Sequence, residues 1–221
     1  MAKSKITLYV DIVSPFAYLG YYVLRHHPVF QGVEVTYVPI LLGGLMKACN
    51  NTPPIQIKNK DKWIGAERLR WAQQFNIPVT KEVPVGFPMP TLAAMRALSY
   101  VQIKYPEQLA GCLDALFESY WVNANAEVGK PEGIRAVLEK ALGAAKADEV
   151  VLQGAASPEA KKRLVENTDE SFNVGAFGLP WFQCTNEKGE VQGFWGFDHL
   201  GQVIRFLGLD KGNDAGLRAL L

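Results

Sequence analysis

The sequence has few of the residues that characterise metal-binding, disulfide-bonded or membrane-spanning proteins. Only three of its 221 residues are cysteine and three are histidine. Cys49, Cys112 and Cys184 lie far apart with no Cys-x-x-Cys pair, which indicates neither a zinc site nor a disulfide framework. The odd count is typical of a reducing compartment. No window approaches the roughly 20 apolar residues of a membrane span, and the amino-terminal apolar run is too short for a signal-peptide core.

An excess of charge of one sign is also absent. The chain has 23 Lys+Arg and 22 Asp+Glu, a formal net charge of +1. Such a balance creates no general field that would attract nucleic acid or an anionic membrane, so we expect neither as a partner. With 48% hydrophobic and 20% charged residues, the composition predicts a globular protein with a large core. We therefore expect an intracellular, cytoplasmic protein that binds a small molecule.

The patterning along the chain divides it into three stretches. Residues 6–40 predict a strand at 6–10, a helix at 15–30 and a second strand at 33–38. Residues 45–173 contain no convincing strand, but apolar stripes at helical spacing cover 92–105, 109–120 and 134–142. The middle of the chain is therefore expected to be helical.

The last stretch predicts an antiparallel hairpin followed by a helix. Two β-rich runs, 181–184 and 191–195, flank a turn, and the helix at 200–207 is expected to be capped by Asp198 and to end at Gly208. A βαβ unit, a helical insertion and a ββα unit in this order predict an α/β protein with an interrupted thioredoxin-like fold. We expect residues 1–44 and 174–221 to form the thioredoxin-like domain and residues 45–173 to form a helical insertion domain.

The start of the first helix is the catalytic position in thioredoxin-like folds, and here it reads Ser-Pro-Phe-Ala from Ser14. No thiol is present there, which excludes dithiol exchange. A serine hydroxyl at a helix amino terminus suits an anion such as the thiolate of a bound thiol cofactor. A charge-assisted hydrogen bond of about 1.5–3 kcal/mol and a helix terminus of roughly 0.3–1 kcal/mol would lower a thiol pKa by about one to two units. The alternative is that Ser14 only caps the helix.

Four segments of the chain carry a resemblance to one family: Asp11 to Gly20, Met46 to Pro54, Gly175 to Pro180 and Trp195 to Asp198. Together they resemble the kappa-class glutathione transferases over nearly the whole chain. The related 2-hydroxychromene-2-carboxylate isomerases share the first and last segments, whereas Asn-x-Pro-Pro and Gly-Ala-Phe-Gly-Leu-Pro are more similar to the transferase. The resemblance implies glutathione as co-substrate, no metal, and a small hydrophobic electrophile as second substrate.

The resemblance also implies roles for individual residues. Ser14 matches the catalytic serine that donates a hydrogen bond to the glutathione sulfur. Leu179 matches the residue whose backbone binds the cysteinyl part like an added strand, and it precedes Pro180, where thioredoxin-like folds place a cis proline. The sequence leaves the isomer of Pro180 open. Asn51 matches a polar ligand contact, and Asp198 matches the acid that binds the γ-glutamyl ammonium group.

The contacts to the two carboxylates of glutathione are left open by the sequence. Phe197 stands where the family has a small hydroxyl residue, so only backbone N–H groups would bind the γ-glutamyl carboxylate there. The glycine carboxylate of glutathione needs a cation, and Lys58, Lys60 and Lys62 lie where the family has a lysine. We favour Lys62, followed by Lys60. The alternative is a solvated basic loop that binds no ligand.

Three functions are therefore considered, with the glutathione transferase first. In a transferase, we expect the electrophile to bind an apolar pocket under the helical insertion. The second is a glutathione-dependent isomerase, and the third is a peptide-binding module that has lost its cysteines. The resemblance further implies a homodimer, and it adds the mitochondrion and the peroxisome as compartments, because kappa-class proteins occur in both.

Overall fold

The fold is described for residues 3–218 in a computed structural model. One sheet contains β1 (Lys5–Val10), β2 (Glu34–Pro39), β3 (Trp181–Thr185) and β4 (Val191–Trp195). The α-helices of this part of the chain are α1 (Pro15–His26), α2 (Leu42–Ala48), α3 (Lys60–Gln74), α4 (Leu92–Lys104), α5 (Leu109–Phe117), α6 (Pro131–Leu142), α7 (Ala144–Asp148), α8 (Pro158–Asn173), α9 (Leu200–Phe206) and α10 (Ala215–Arg218). Residues 1, 2 and 219–221, which the expected thioredoxin-like domain includes, lie outside the described residues.

The sheet has the strand order β2-β1-β3-β4. β1 pairs with β2 in parallel and with β3 in antiparallel orientation, and β3 pairs with β4 in antiparallel orientation. In this register Tyr9 of β1 lies between Val38 of β2 and Trp181 of β3. The predicted α/β class and the βαβ and ββα arrangement around a helical insertion are confirmed.

β1 is the central strand, and its sequence explains why it can be buried on both faces. Ile6, Leu8 and Val10 point to one face and are fully buried, while Tyr9 packs into a smaller cluster on the other. The chain then turns into α1, where Ser14 occupies the N-cap position and the following proline occupies the first helical position. This turn lies at the carboxyl end of β1, between the sheet and the insertion.

The insertion packs on the sheet through one continuous group of buried residues. Leu8 of β1 and Leu19 of α1 belong to the same core as Leu98 of α4 and Leu113 of α5. Tyr21 of α1 also donates a hydrogen bond to Asp114, with 2.6 Å between the oxygens. The division of the chain into two domains at residues 44 and 174 stays a prediction. No helix within residues 3–218 is long and apolar enough to cross a membrane.

Several helices differ from the sequence-based expectation, and two of them show the physical reason. α1 ends at His26, because Pro28 cannot continue the hydrogen-bond ladder and starts a separate 3₁₀ turn at 28–30. α8 has 16 residues and no predicted counterpart. Its buried stripe includes Asn167 and Ser171 as well as Ala160 and Leu164, so a search for apolar periodicity misses it.

The predicted cap of the last helix is wrong. Asp198 lies inside a 3₁₀ turn, Phe197–His199, that precedes α9. His199 is the residue before α9, and it makes no side-chain capping bond. Asp198 instead points outward with its side chain 61% exposed, and its Oδ1 lies 3.4 Å from Nδ1 of His199. The helix ends as expected, with Gly208 at a φ of 68°.

Trp121 provides a test of how the insertion is attached to the first turn. Its ring is fully buried, and Nε1 donates to the Ile12 carbonyl oxygen at 2.9 Å. We expect Trp121→Phe to lower the free energy of unfolding by roughly 2–4 kcal/mol, because it leaves that carbonyl unpaired and opens a cavity. Trp63→Phe is the control, since Trp63 is 52% exposed, and it should change stability by less than about 0.5 kcal/mol. Equal losses in chemical denaturation would contradict this assignment.

Candidate active site

Ser14 starts α1 and holds its first turn in place. Its Oγ accepts a hydrogen bond from the Ala17 N–H at 3.1 Å, and its own N–H donates to the Asp11 carbonyl oxygen at 3.1 Å. No acceptor among residues 3–218 takes the hydroxyl hydrogen, which is therefore available to a ligand. Ser14 is only 6% exposed, so a ligand atom that contacts it must approach the surface closely.

The surroundings of Ser14 favour a negative charge. α1 has no acidic residue in its first turn, and Pro15 lacks an N–H group. The N–H of Phe16 has no partner within the described part of the chain, which is normal for the first turn of a helix. This donor and the positive end of the helix dipole act beside the Ser14 hydroxyl. The arrangement fits a thiolate or another small anion.

Leu179 and Pro180 lie against the first two turns of α1. Their peptide bond is cis. Leu179 packs in one cluster with Ala17, and a Cβ at Gly20 would lie 3.5 Å from Cβ of Pro180, an ordinary contact, but only 3.0 Å from the ring of Phe182 in β3. The backbone N–H and C=O of Leu179 have no partner among residues 3–218. Both groups are therefore available to an extended ligand backbone.

Asn51 is joined to the same loop. Its Nδ2 donates to the Phe177 carbonyl oxygen at 2.8 Å, and its own N–H donates to the Met46 carbonyl oxygen at 2.9 Å. The neighbouring Cys49 thiol also reaches this loop, with Sγ 3.5 Å from the Ala176 carbonyl oxygen. The side-chain oxygen of Asn51 makes no bond to the described residues and can accept one from a ligand.

Phe197 and Asp198 come directly after Gly196, which is hydrogen-bonded to Pro180. The N–H of Gly196 donates to the Pro180 carbonyl oxygen at 3.0 Å, which brings the 3₁₀ turn at 197–199 to the cis-proline loop. The Phe197 side chain is buried, with its ring 5.4 Å from that of Trp71. It therefore offers a ligand only its backbone, whereas the Asp198 carboxylate is exposed.

Lys60 and Lys62 lie in the first turn of α3, and both are exposed. Neither makes an ion pair with a residue in 3–218, and neither is hydrogen-bonded to the other predicted site residues. α3 does pack against α1. The structure thus brings Ser14, Asn51, Leu179, Pro180 and the 197–198 turn together and leaves the two lysines at a neighbouring helix start.

Asp11 is a functional candidate that the sequence reasoning did not single out. Its carboxylate is fully buried and accepts hydrogen bonds from the Val13 N–H at 3.1 Å, the Leu42 N–H at 2.9 Å and the Thr91 hydroxyl at 3.1 Å. Burial raises its pKa to about 6, although the three hydrogen bonds act in the opposite direction. The sequence does contain a sign of this role: Asp11 lies inside the apolar run Tyr-Val-Asp-Ile-Val, and an acid in such a run is buried together with the strand.

The cysteines do not form a second reactive centre. All three are free. Cys112 and Cys184 are fully buried, and burial raises the pKa of each thiol to about 12, which keeps it protonated. Cys49 is half-buried and donates to a backbone carbonyl oxygen. Dithiol exchange is excluded at Ser14, as the sequence predicts.

Two hollows on the surface do not include the candidate site. One of about 480 Å³ is lined by parts of α1, β2 and α5, among them Leu24, Val35 and Leu109. Another of about 390 Å³ lies between α5 and α6 and includes Gly111 and Val137. Neither is lined by any of the predicted site residues. The candidate site is therefore a surface around the start of α1 rather than one of these hollows.

The comparison with known proteins agrees with this fold. Residues 5–207 match the family of DsbA-like thioredoxin domains. The chain belongs to this family. This DsbA-like thioredoxin domain is 28% identical over 206 residues to glutathione S-transferase kappa 1 of Homo sapiens, covering 92% of this chain and 90% of the relative. The relative of that name from Rattus norvegicus is 28% identical over 212 residues, covering 94% and 92%. The predicted resemblance to kappa-class glutathione transferases is confirmed.

A solved structure shows the same fold. A 2-hydroxychromene-2-carboxylate isomerase superposes on this DsbA-like thioredoxin domain with a TM-score of 0.76 at 22% sequence identity. The match covers 92% of this chain and 94% of the isomerase. The helical insertion and the thioredoxin-like sheet therefore occur together in that protein as well.

The buried Asp11 makes stability depend on pH with a definite sign. Its pKa is raised from 3.8 to about 6 in the folded protein, so stability present below about pH 4 is lost as the pH rises through about 6. The full effect is roughly 3 kcal/mol. We expect the free energy of unfolding of Asp11→Asn, measured relative to wild type by chemical denaturation, to increase by up to that amount from about pH 4 to about pH 7. A difference that does not change with pH would contradict this prediction.

Proposed function

We propose that this protein is a glutathione transferase, in which bound glutathione attacks a small hydrophobic electrophile. The observation that carries the proposal is the Ser14 hydroxyl, which caps α1 through its oxygen and keeps its hydrogen for a ligand. Glutathione S-transferase kappa relatives matched over most of the chain support the same function. Glutathione would enter as thiol and react as thiolate.

The role of Ser14 in this proposal is electrostatic. A hydroxyl that donates to the sulfur favours the thiolate by about 1.5–3 kcal/mol, and the helix terminus adds roughly 0.3–1 kcal/mol. Since one pKa unit corresponds to about 1.36 kcal/mol, the hydroxyl alone would lower the pKa of the bound thiol by about one to two units from its ordinary value of about 8.5, and the helix terminus would lower it further. The thiolate would then be well populated at neutral pH, while Ser14 itself forms no covalent bond.

The rest of glutathione would be bound by groups around Ser14. The free backbone N–H and C=O of Leu179 suit the cysteinyl part, which would pair with the Leu179–Pro180 edge like a short strand. The Asn51 amide oxygen is a polar contact for the peptide. Asp198 is an exposed carboxylate that would bind the γ-glutamyl ammonium group, and the Phe197 backbone would bind the adjacent carboxylate.

The second substrate would bind between α1 and the helical insertion. Phe87 packs on Trp121 with 5.5 Å between ring centroids, and Trp121 is bonded to the Ile12 carbonyl oxygen two residues before Ser14. The buried Trp121 thus links Phe87, which is partly exposed, to the turn before α1. An apolar wall at this place suits a small hydrophobic electrophile.

A glutathione-dependent isomerase is the second candidate, favoured by the fold shared with the 2-hydroxychromene-2-carboxylate isomerase. In that reaction the thiolate adds to an unsaturated substrate and leaves again. The product separates the two functions, because a transferase yields a stable conjugate and an isomerase regenerates glutathione. A peptide-binding module would give no calorimetric signal with glutathione. A homodimer and a mitochondrial or peroxisomal location stay predictions.

The chain contains its own control for the proposed role of Ser14. Ser157 starts α8 with the same Ser-Pro-x-Ala sequence, and its Oγ accepts from the Ala160 N–H at the same 3.1 Å. We expect Ser14→Ala to lower turnover of a chlorodinitrobenzene-type substrate and to raise the ionisation pH of bound glutathione by roughly one to two units. Ser157→Ala removes an equivalent cap and should leave both values unchanged. Equal behaviour of the two variants would mean that Ser14 is only a cap.

The lysine that binds the glycine carboxylate can be found by single substitutions. Removing a charge-assisted hydrogen bond of about 1.5–3 kcal/mol should raise the KM for glutathione by roughly tenfold to a hundredfold, with little change in kcat. We expect this effect from Lys62→Ala or Lys60→Ala, with Lys58→Ala as the matched control in the preceding loop. Steady-state kinetics with varied glutathione measures it. If all three variants keep the wild-type KM, the basic segment is a solvated surface.

A further inference from the structure

We propose that Asp11 is a positioning residue that holds the turn before Ser14 in the arrangement required for ionisation of bound glutathione. The inference rests on the proposed function, since it explains how the Ser14 hydroxyl is kept in place. Asp11 would not contact the ligand, because its side chain is fully buried behind the turn. It would act through the three groups that donate hydrogen bonds to it.

The three donors come from three separate segments of the chain. The Val13 N–H donates to Oδ1 at 3.1 Å and belongs to the turn that leads into Ser14. The N–H of Leu42, the first residue of α2, donates to Oδ2 at 2.9 Å. The Thr91 hydroxyl donates to Oδ2 at 3.1 Å and precedes α4 of the insertion. One carboxylate therefore fastens the first turn to both of its neighbours.

Each of these segments leads to part of the candidate site. The Asp11 carbonyl oxygen also accepts from the Ser14 N–H, so Asp11 holds this turn through its side chain at Val13 and through its backbone at Ser14. α2 ends at Ala48 and is followed by the loop that carries Asn51. The loop that ends at Thr91 contains Phe87, which packs on Trp121. A shift of Asp11 would move the groups proposed to contact the sulfur, the peptide and the electrophile.

The chemistry of the carboxylate explains why an acid occupies this position. Three hydrogen bonds converge on its two oxygens, whereas an asparagine has one acceptor oxygen and two donor hydrogens in the same volume. Hydrogen bonds to an ionised acceptor are also shorter and stronger than neutral ones. No cation within residues 3–218 forms an ion pair with Asp11. The acid is thus buried at a cost that the three donors offset only in part.

Substitution of Thr91 tests the inference without removing the acid. Thr91→Val has nearly the same shape but lacks the hydroxyl, and we expect kcat to fall about tenfold while the KM for glutathione changes less than about threefold. Thr91→Ser keeps the hydroxyl and should restore most of the turnover. The ultraviolet absorbance of the thiolate, per glutathione bound, should fall in Thr91→Val at neutral pH. A loss of folded protein would not change this value per bound ligand.

Asp11→Asn separates positioning from a simple effect of charge. Removing a nearby negative charge alone would lower the pH at which bound glutathione ionises. Loss of the positioned hydroxyl would raise it, and this is the shift we expect, together with a larger fall in kcat than in Thr91→Val. Ser99→Ala is the control for stability, because Ser99 is a buried serine of α4 whose hydroxyl donates within its own helix, to the Met95 carbonyl oxygen. It should leave kcat unchanged.

The outcomes distinguish this inference from the proposed function. If wild-type protein shows no calorimetric binding of glutathione and no conjugate, the proposed function and this inference both fail. If wild type conjugates glutathione but Thr91→Val matches it in kcat and in thiolate absorbance, only the positioning role is overturned. The same holds if Asp11→Asn ionises its bound glutathione at a lower pH than wild type, or if Thr91→Ser is as impaired as Thr91→Val.

Discussion

The proposed chemistry depends on one hydroxyl group that accepts one hydrogen bond and keeps its hydrogen free to donate a second. The oxygen of Ser14 accepts from the Ala17 N–H, which fixes the direction of the side chain, and the hydrogen stays available for a ligand. A serine at any ordinary helix start can accept such a capping bond, as Ser157 does at the start of α8. What differs at Ser14 is its place between the cis-proline loop, the Asn51 loop and the insertion.

That place results from how the insertion meets the sheet. The turn after β1 is bonded to the insertion twice, through Trp121 to the Ile12 carbonyl oxygen and through Thr91 to Asp11. α1 in turn lies against Pro180 and the ring of Phe182 at Gly20, where a Cβ would come within 3.0 Å of that ring. A thioredoxin-like sheet without catalytic cysteines can therefore offer a fixed donor to a thiol that a substrate supplies. In the proposed function, the sulfur of glutathione would take the place that a cysteine holds in a dithiol enzyme.

Local patterns predicted the fold well, because the signals of β1, α4, α5 and the hairpin depend on neighbouring residues. Regular apolar spacing and a Pro-containing helix start are visible in any single sequence. The predicted site residues came instead from the resemblance, and the structure brings most of them to one surface. The helix α8 was missed because buried polar residues, Asn167 and Ser171, interrupt its apolar stripe.

What the sequence could not provide were contacts between distant residues. The bond from Thr91 to Asp11 joins residues 80 positions apart, and no spacing rule predicts it. The burial of Phe197 against Trp71 likewise depends on how α3 packs. The sequence alone therefore could not predict that the Phe197 side chain is buried. The expected Asp198 cap failed for a similar reason, since a 3₁₀ turn intervenes before α9.

The central claim concerns the position of a single sulfur atom, and a crystal structure of the protein soaked with reduced glutathione tests it most directly. The account predicts the glutathione sulfur within hydrogen-bonding distance of Ser14 Oγ, with the cysteinyl backbone paired to Leu179. A sulfur bound away from the start of α1, or a tripeptide that does not reach the Ser14 hydroxyl at all, would contradict it.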